Sequence, residues 1–206
     1  MLWQLGKEEG FVQSLILATS NIGKIQEFRH LLAPIHCIPQ EELHVSSIPE
    51  TKITFVENAL LKARHASEFG KAPALADDSG LVVPVLGGEP GIFSARYAGE
   101  SASAQQNNLL LLEKLKAIPR NQWQAYFYCV LVLVQHPQDP TPIIAYGKVD
   151  GQITDIPSGA HGFGYDPIFY LPNYHCTMAE LAIETKNTIS HRANAFQELK
   201  NQLSIA

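Results

Sequence analysis

Two adjacent carboxylates and a hydroxyl, Asp77, Asp78 and Ser79, stand between the apolar residues Leu75-Ala76 and Leu81-Val82-Val83. Apolar residues on both sides predict a buried strand, with the acids at its end where the backbone turns at Gly80. Neighbouring carboxylates repel each other. A small hard cation such as Mg²⁺ relieves that repulsion while taking oxygen ligands from both the protein and a phosphate. An Asp-Ser-Gly turn that caps its own backbone amides explains this segment equally well. Other polar clusters must separate the two readings.

Thr19-Ser20-Asn21-Ile22-Gly23-Lys24 sets hydroxyls, an amide, a glycine and a lysine at a predicted helix start. Free N–H groups and the positive end of a helix dipole suit phosphate there, and Lys24 adds a full charge. With one glycine, and with Ile25 after the lysine, the loop is not a Walker A motif; an ordinary helix cap beside a solvated lysine also fits. Glu50 precedes a second predicted helix on which Asn58 and Lys62, four apart, share a face that would offer an amide and a cation to one ligand. By spacing alone Lys62 reads as a surface lysine, and Glu57 as a cap. Farther on, Gly162-Phe163-Gly164-Tyr165-Asp166 alternates glycine with aromatics. Glycine lets the backbone approach a ligand, and Phe163 or Tyr165 offers a face to a heterocyclic base, unless the rings are core plugs. Lys186, His191 and Arg192 place three more donors within seven residues.

These groups need elements to hold them. Residues 15–18 read as a strand, followed by a helix carrying Ile25, Phe28, Leu31 and Leu32 and stopped at Pro34, then a strand over 35–38. Thr54 with Glu57 and Ser103 with Gln106 mark helix starts, while Gly70 with Pro73 and Pro119 mark ends. Residues 123–135 and 143–149 read as an antiparallel pair. Thr177 with Glu180 opens one more helix, and Ala193, Phe196, Leu199 and Leu203 stripe the last. Strands first interleave with helices and later pair directly, which predicts an α/β domain with a mixed sheet.

The 206 residues, 46% hydrophobic and 17% charged, fit one domain with a real core, and the net charge of −5 argues against a broad nucleic-acid or membrane footprint. Cys37, Cys129 and Cys176 form neither a disulfide framework nor a zinc spacing, so a reducing cytoplasm is expected. Residues 1–14 have no apolar core of a secretion signal. The longest apolar run, over 125–134, is too short to span a bilayer as a helix.

Six segments in order, Leu17-Ala18-Thr19-Ser20-Asn21-Ile22-Gly23-Lys24, Thr54-Phe55-Val56-Glu57-Asn58-Ala59, Leu75-Ala76-Asp77-Asp78-Ser79-Gly80-Leu81, Pro90-Gly91-Ile92-Phe93-Ser94-Ala95-Arg96-Tyr97-Ala98-Gly99, Gly162-Phe163-Gly164-Tyr165-Asp166-Pro167-Ile168-Phe169 and Ser190-His191-Arg192, carry a resemblance to the inosine triphosphate pyrophosphatase family. The resemblance covers residues 15–206 as one pyrophosphatase domain and leaves 1–14 as an extension. It implies an elongated α/β fold, a mixed sheet flanked by helices in two lobes with a nucleotide cleft between them, and a homodimer. It also implies Mg²⁺-dependent hydrolysis of non-standard purine nucleoside triphosphates (ITP, dITP, XTP) to the monophosphate and pyrophosphate, with no nucleic-acid polymer or membrane as partner.

By position, the resemblance gives Thr19, Ser20, Asn21, Ile22, Gly23 and Lys24 to the phosphates, Asp78 to proton acceptance and metal, and Glu50 to metal. Ser79, Phe163, Gly164, Tyr165, Asp166, Lys186, His191 and Arg192 complete the nucleotide site, and Lys62 joins Lys24 and Lys186 in offsetting phosphate charge. Adjacency leaves Asp77 open as the base. Donors from His191 or Arg192 would favour a 6-oxo purine over adenine. Ser20 stands where the family commonly has glycine, and would restrict the loop if a positive φ were needed; Ser158, His161 and Ala193 also depart from the pattern. A nucleotide sensor and a related pyrophosphatase for modified pyrimidine or methylated guanine nucleotides are the rival readings.

Overall fold

The computed structural model describes residues 14–203, so the expected extension over 1–14 lies, apart from Ser14, outside the described residues. The elements run β1 (Ser14–Leu17), α1 (Ile22–Leu32), β2 (His36–Pro39), α2 (Phe55–Gly70), β3 (Ala74–Val82), α3 (Ala104–Leu115), β4 (Gln124–Val134), β5 (Ile143–Ile153), β6 (Phe169–Leu171), β7 (Cys176–Thr177), α4 (Ile183–Ile189) and α5 (His191–Leu203), with short 3-10 turns in the connections. The sheet order is β2-β1-β3-β4-β5-β6-β7. Helical crossovers make β1 parallel to both β2 and β3, whereas β6 is antiparallel to β5 and β7. The expected α/β fold with a mixed sheet is what forms.

Local chemistry sets the helix boundaries. Asn21 Oδ1 accepts from Lys24 N, Thr54 Oγ1 from Glu57 N, and Ser103 and Gln106 close both bonds of a capping box. Gly70 ends α2 for a packing reason: a Cβ there would collide with the Ile16 side chain of β1. The left-handed cap is the next residue, Lys71, at φ 56°.

Two expectations change. β3 does not end at the acids; it continues through Ser79 and Gly80 to Val82. The apolar residues on either side belong to one strand, and Gly80 is carried inside it without a turn. Thr177 and Glu180 do form a capping box, but it caps a single 3-10 turn, Met178–Glu180, and α4 starts only at Ile183.

The chain divides into two compact units. The first takes in the described residues through Asp78, Val130–Tyr146 and the residues from Ala195 on; the second takes in Ser79–Cys129 and Gly147–Asn194. In the first, Ile16, Leu17, Phe28 and Leu75 are fully buried, and α2 turns the small residues Ala59, Ala63 and Ala66 inward. In the second, Leu81, Leu111, Leu115, Trp123, Phe127, Ile168, Phe169 and Met178 form the core. Each fully buried large apolar side chain contributes about 1.5–3 kcal/mol, which holds the polar groups on fixed backbone.

Candidate active site

In the first unit, strand geometry separates the adjacent acids. Successive side chains of β3 point to opposite faces, and each acid meets its own lysine. Asp77 Oδ2 lies 2.7 Å from Lys24 Nζ, whereas Asp78 Oδ1 accepts from Lys62 Nζ at 3.0 Å. Lys62 Nζ also donates to Glu50 Oε1 at 2.7 Å. The carboxylate brought to Asp78 is therefore Glu50, not Asp77, and Lys62 is a bridging cation, not the surface lysine its spacing suggests.

Burial governs the electrostatics. Asp78, 4% exposed, has its pKa pushed up to about 6 by desolvation, and Glu50 adds to the rise while Lys62 and Lys24 oppose it. Burial works against the charge of Lys62 as well, but Asp78, Asp77 and Glu50 together hold its pKa above the usual value. Both partners of this pair shift upward because the Asp78 carboxyl loses more to desolvation than its lysine returns.

The second oxygen of Asp78, Oδ2, is buried with no hydrogen-bond partner. A buried carboxylate oxygen in that condition is costly and is the kind of donor a hard cation takes. Among the described residues no three acidic, His or Cys side chains cluster as a closed metal cage. Mg²⁺ commonly binds through one or two carboxylates plus water and substrate phosphate, so Glu50 and Asp78 fit it.

The loop before α1 is capped as expected. Thr19 Oγ1 accepts from Asn21 N at 3.2 Å, Asn21 caps the helix, and Ile22 is exposed. Ser20 is not in the left-handed region, so a side chain at this position imposes no strain. Its hydroxyl lies 2.8 Å from that of Ser47. Asn58, expected to face a ligand with Lys62, is instead fully buried and clasps the backbone of Lys52: Oδ1 accepts from Lys52 N at 2.9 Å and Nδ2 donates to Lys52 O at 3.3 Å.

The second unit gathers Ser79, residues 163–166, Lys186, His191 and Arg192. Asp166 Oδ2 accepts from Lys186 Nζ and from Phe163 N, each at 2.9 Å, a buried ion pair that also closes the glycine loop. Gly162, at φ 79°, is required there, because a Cβ would strike the Asp166 carboxylate. Arg192 Nη2 donates to Ser79 Oγ at 3.1 Å. The two aromatics take different roles. Tyr165 is buried, donates its hydroxyl to Ser94 O at 2.9 Å and has its pKa raised by desolvation; it is a core plug. Phe163 is 38% exposed, with Lys186 Nζ and the Arg192 guanidinium each 5.2 Å from its ring centre. His191 stacks on Phe127 of β4, with ring centres 4.8 Å apart and planes 13° from parallel.

Sequence reasoning passed over several supports. Gln40, Ser47 and His65 contact the segment around Glu50, Phe127 sets the plane of His191, and Asn108 Nδ2 donates to Gly164 O at 3.2 Å. None stands in a motif. A buried glutamine at the end of a strand, as Gln40 follows β2, was the one compositional signal available.

A sequence model of the Ham1 family matches residues 15–202. The dITP/XTP pyrophosphatase of Legionella pneumophila (strain Lens) is 57% identical over 189 residues, 92% of this chain and 97% of that protein. The dITP/XTP pyrophosphatase of Escherichia coli (strain K12) is 50% identical over 194 residues, 93% and 98% of the two chains. Among solved structures, a HAM1 protein from Coxiella burnetii matches with a TM-score of 0.87 at 45% identity, covering 94% of this chain and 99% of that one. The Staphylococcus aureus Ham1 protein matches with a TM-score of 0.82 at 42% identity, covering 93% and 98%. The resemblance carried by the six ordered segments is thus borne out over nearly the whole chain, which belongs to the Ham1 family.

Proposed function

We propose that this chain is a nucleoside triphosphate pyrophosphatase that hydrolyses ITP, dITP and XTP to the monophosphate and pyrophosphate with Mg²⁺, removing them from the nucleotide pool. The observation that carries the reading is Lys62 bridging Glu50 and Asp78 while Asp78 Oδ2 stays buried and unpartnered. Surplus carboxylate in a site for a polyanion gains nothing without a cation. The names of the relatives, dITP/XTP pyrophosphatases, support the substrate class.

Glu50 and Asp78 would hold the Mg²⁺, which when bound neutralises phosphate charge and orients the phosphates for displacement. The chain's own groups do the rest. N–H groups of the first turn of α1 and the ammonium groups of Lys24 and Lys62 take phosphate oxygens. Asp78 accepts a proton from the attacking water; one water adds across the α–β anhydride, and pyrophosphate leaves. Asp77, on the other face of β3 and held by Lys24, is less suited to that task, which supports Asp78 as the base. In the second unit Phe163 supplies the face for the purine. His191 and Arg192 supply donors to a 6-oxo group that adenine lacks.

Residues 15–206 act as one catalytic domain in this reading, and the enzyme works as a homodimer in the cytoplasm. The three thiols, none in a disulfide, suit a reducing compartment. No described helix is long and apolar enough to cross a membrane. Light scattering of the purified protein tests the dimer.

The deciding experiment incubates the protein and Mg²⁺ with ITP, XTP, dITP, ATP, GTP and dTTP and separates pyrophosphate from orthophosphate. Pyrophosphate from the first three, with little from ATP and GTP, is expected. No pyrophosphate from any of them would overturn the activity, and preference for dTTP would overturn the substrate class.

A further inference from the structure

Residues 45–54, which carry Glu50, have no helix or strand, yet side chains pin them at three points. His65 Nε2 donates to Ser46 O at 2.8 Å. Gln40, almost fully buried, donates its Nε2 to Ser47 Oγ at 2.9 Å and, more weakly, to Ser20 Oγ at 3.4 Å, while the two hydroxyls lie 2.8 Å apart. Asn58 grips both the N–H and the carbonyl of Lys52. Two of the three anchors, Asn58 and His65, stand on α2, the helix that also carries Lys62. One rigid helix thus fixes the backbone on both sides of Glu50 and holds its carboxylate from Lys62.

We propose that Gln40, Asn58 and His65 are positioning residues that preset the Glu50 carboxylate for its cation, and that Ser20, through Ser47, fastens the phosphate loop to the same segment. The proposal rests on Glu50 as a metal ligand. Its physical ground is that an irregular strap would otherwise be ordered only when metal arrives, so the ordering cost would weaken binding. A buried amide that satisfies backbone groups, as Asn58 does for Lys52, and one that holds a serine hydroxyl, as Gln40 does for Ser47, fix such a strap before the ligand binds, and loss of groups that orient a metal ligand typically costs about 10- to 100-fold in affinity or activity. The link from loop to strap is the contact between the Ser20 and Ser47 hydroxyls.

The test compares Gln40→Met, Asn58→Ser and Ser47→Ala with Ser47→Thr, which keeps the hydroxyl. Amide hydrogen exchange over residues 46–52 is read in metal-free protein, with β3 and the second unit as internal controls. The Mg²⁺ concentration for half-maximal ITP hydrolysis is read separately. Asn58→Ser removes the acceptor of the Lys52 N–H and is expected to speed exchange in 46–52 about tenfold, while Gln40→Met, whose amide meets only hydroxyls, speeds it less; both leave the controls unchanged and raise the Mg²⁺ midpoint about tenfold. Ser47→Ala gives a smaller shift in the same direction, and Ser47→Thr matches the parent. Unchanged exchange over 46–52 would overturn the strap; faster exchange with an unmoved Mg²⁺ midpoint would overturn its role in presetting Glu50. A Glu50→Gln protein with the parent's Mg²⁺ midpoint would overturn the metal reading itself, a result distinct from either.

Discussion

Replacing Asp78 with Asn should abolish turnover and yet stabilise the metal-free protein progressively as pH rises. The carboxyl is raised from its ordinary 3.8 to about 6, chiefly by burial, so between those values the folded protein keeps a proton that the unfolded chain has released. The stabilising contribution of this group is full below pH 3.8 and is lost as pH rises through about 6. At 1.36 kcal/mol per unit, the whole shift amounts to about 3 kcal/mol, and the part lost between pH 5 and 7.5 is on the order of 1 kcal/mol. Asn does not titrate. The stability of Asp78→Asn minus that of the parent should therefore grow by on the order of 1 kcal/mol over that interval, or about 2–4 °C in Tm for a chain of this length. Taking the difference between two pH values cancels the pH-independent loss of a partner for Lys62. The assay is thermal unfolding of both proteins in EDTA at pH 5 and pH 7.5. A Tm of Asp78→Asn minus that of the parent that stays constant or falls from pH 5 to pH 7.5 would refute the reasoning, because the carboxyl would then not be raised by its burial. Addition of Mg²⁺ at pH 7.5 should raise the Tm of the parent but not that of the variant.

Three further outcomes follow from the geometry. Lys62→Met leaves Glu50 and Asp78 facing each other without their cation and should cost about 3 kcal/mol; Mg²⁺ should raise its Tm more than it raises the parent's, and equal increments would count against a shared cation site. Phe163→Leu should raise KM for ITP roughly tenfold, since stacking of a base on an aromatic ring is worth about 1–3 kcal/mol, whereas Tyr165→Phe should cost about 1 kcal/mol of stability and leave KM nearly unchanged. Gly162→Ala, at a positive φ and against the Asp166 carboxylate, should lower stability by about 1–3 kcal/mol and weaken ITP binding with it, which calorimetry of the purified variant would detect.

What could be read from the sequence was local. The Thr54/Glu57 cap and the Ser103/Gln106 capping box each sit within one helical turn, so spacing alone identifies them. β6 and β7, three and two residues long, carry too little periodicity to stand out, and they form because neighbouring strands supply their partners. The strand through Asp77 and Asp78 was legible, but its continuation past Gly80 was not: glycine signals a turn by itself, and tertiary pairing overrode it. Lys62 shows the limit most clearly. Nothing in a helix-surface spacing reveals that a strand and an irregular segment bring Asp78 and Glu50 to one ammonium group. Phe163 and Tyr165 differ by two positions and are both aromatic, so only burial separates the platform from the plug.

The charge balance of the first unit's cluster ties these observations together. Lys24 pairs with Asp77, and Lys62 with both Glu50 and Asp78, so these five side chains, with all three acids ionised, sum to one negative charge. A triphosphate adds several more. Such a site would repel a polyphosphate in the absence of a cation, and the proposed ligands for one are the acids that Lys62 draws together, with Asp78 Oδ2 buried and without a hydrogen-bond partner. Lys62 thus keeps the two proposed metal-binding carboxylates beside one another. In the proposed mechanism a bound cation would share the charge of Glu50 and Asp78, which would leave Lys62 able to pair with phosphate. The cost of the arrangement appears as the raised pKa of Asp78. In the metal-free protein a carboxyl desolvated enough to hold its proton to about pH 6 is a stronger base than an exposed aspartate, and a cation bound at Asp78 would offset part of that rise.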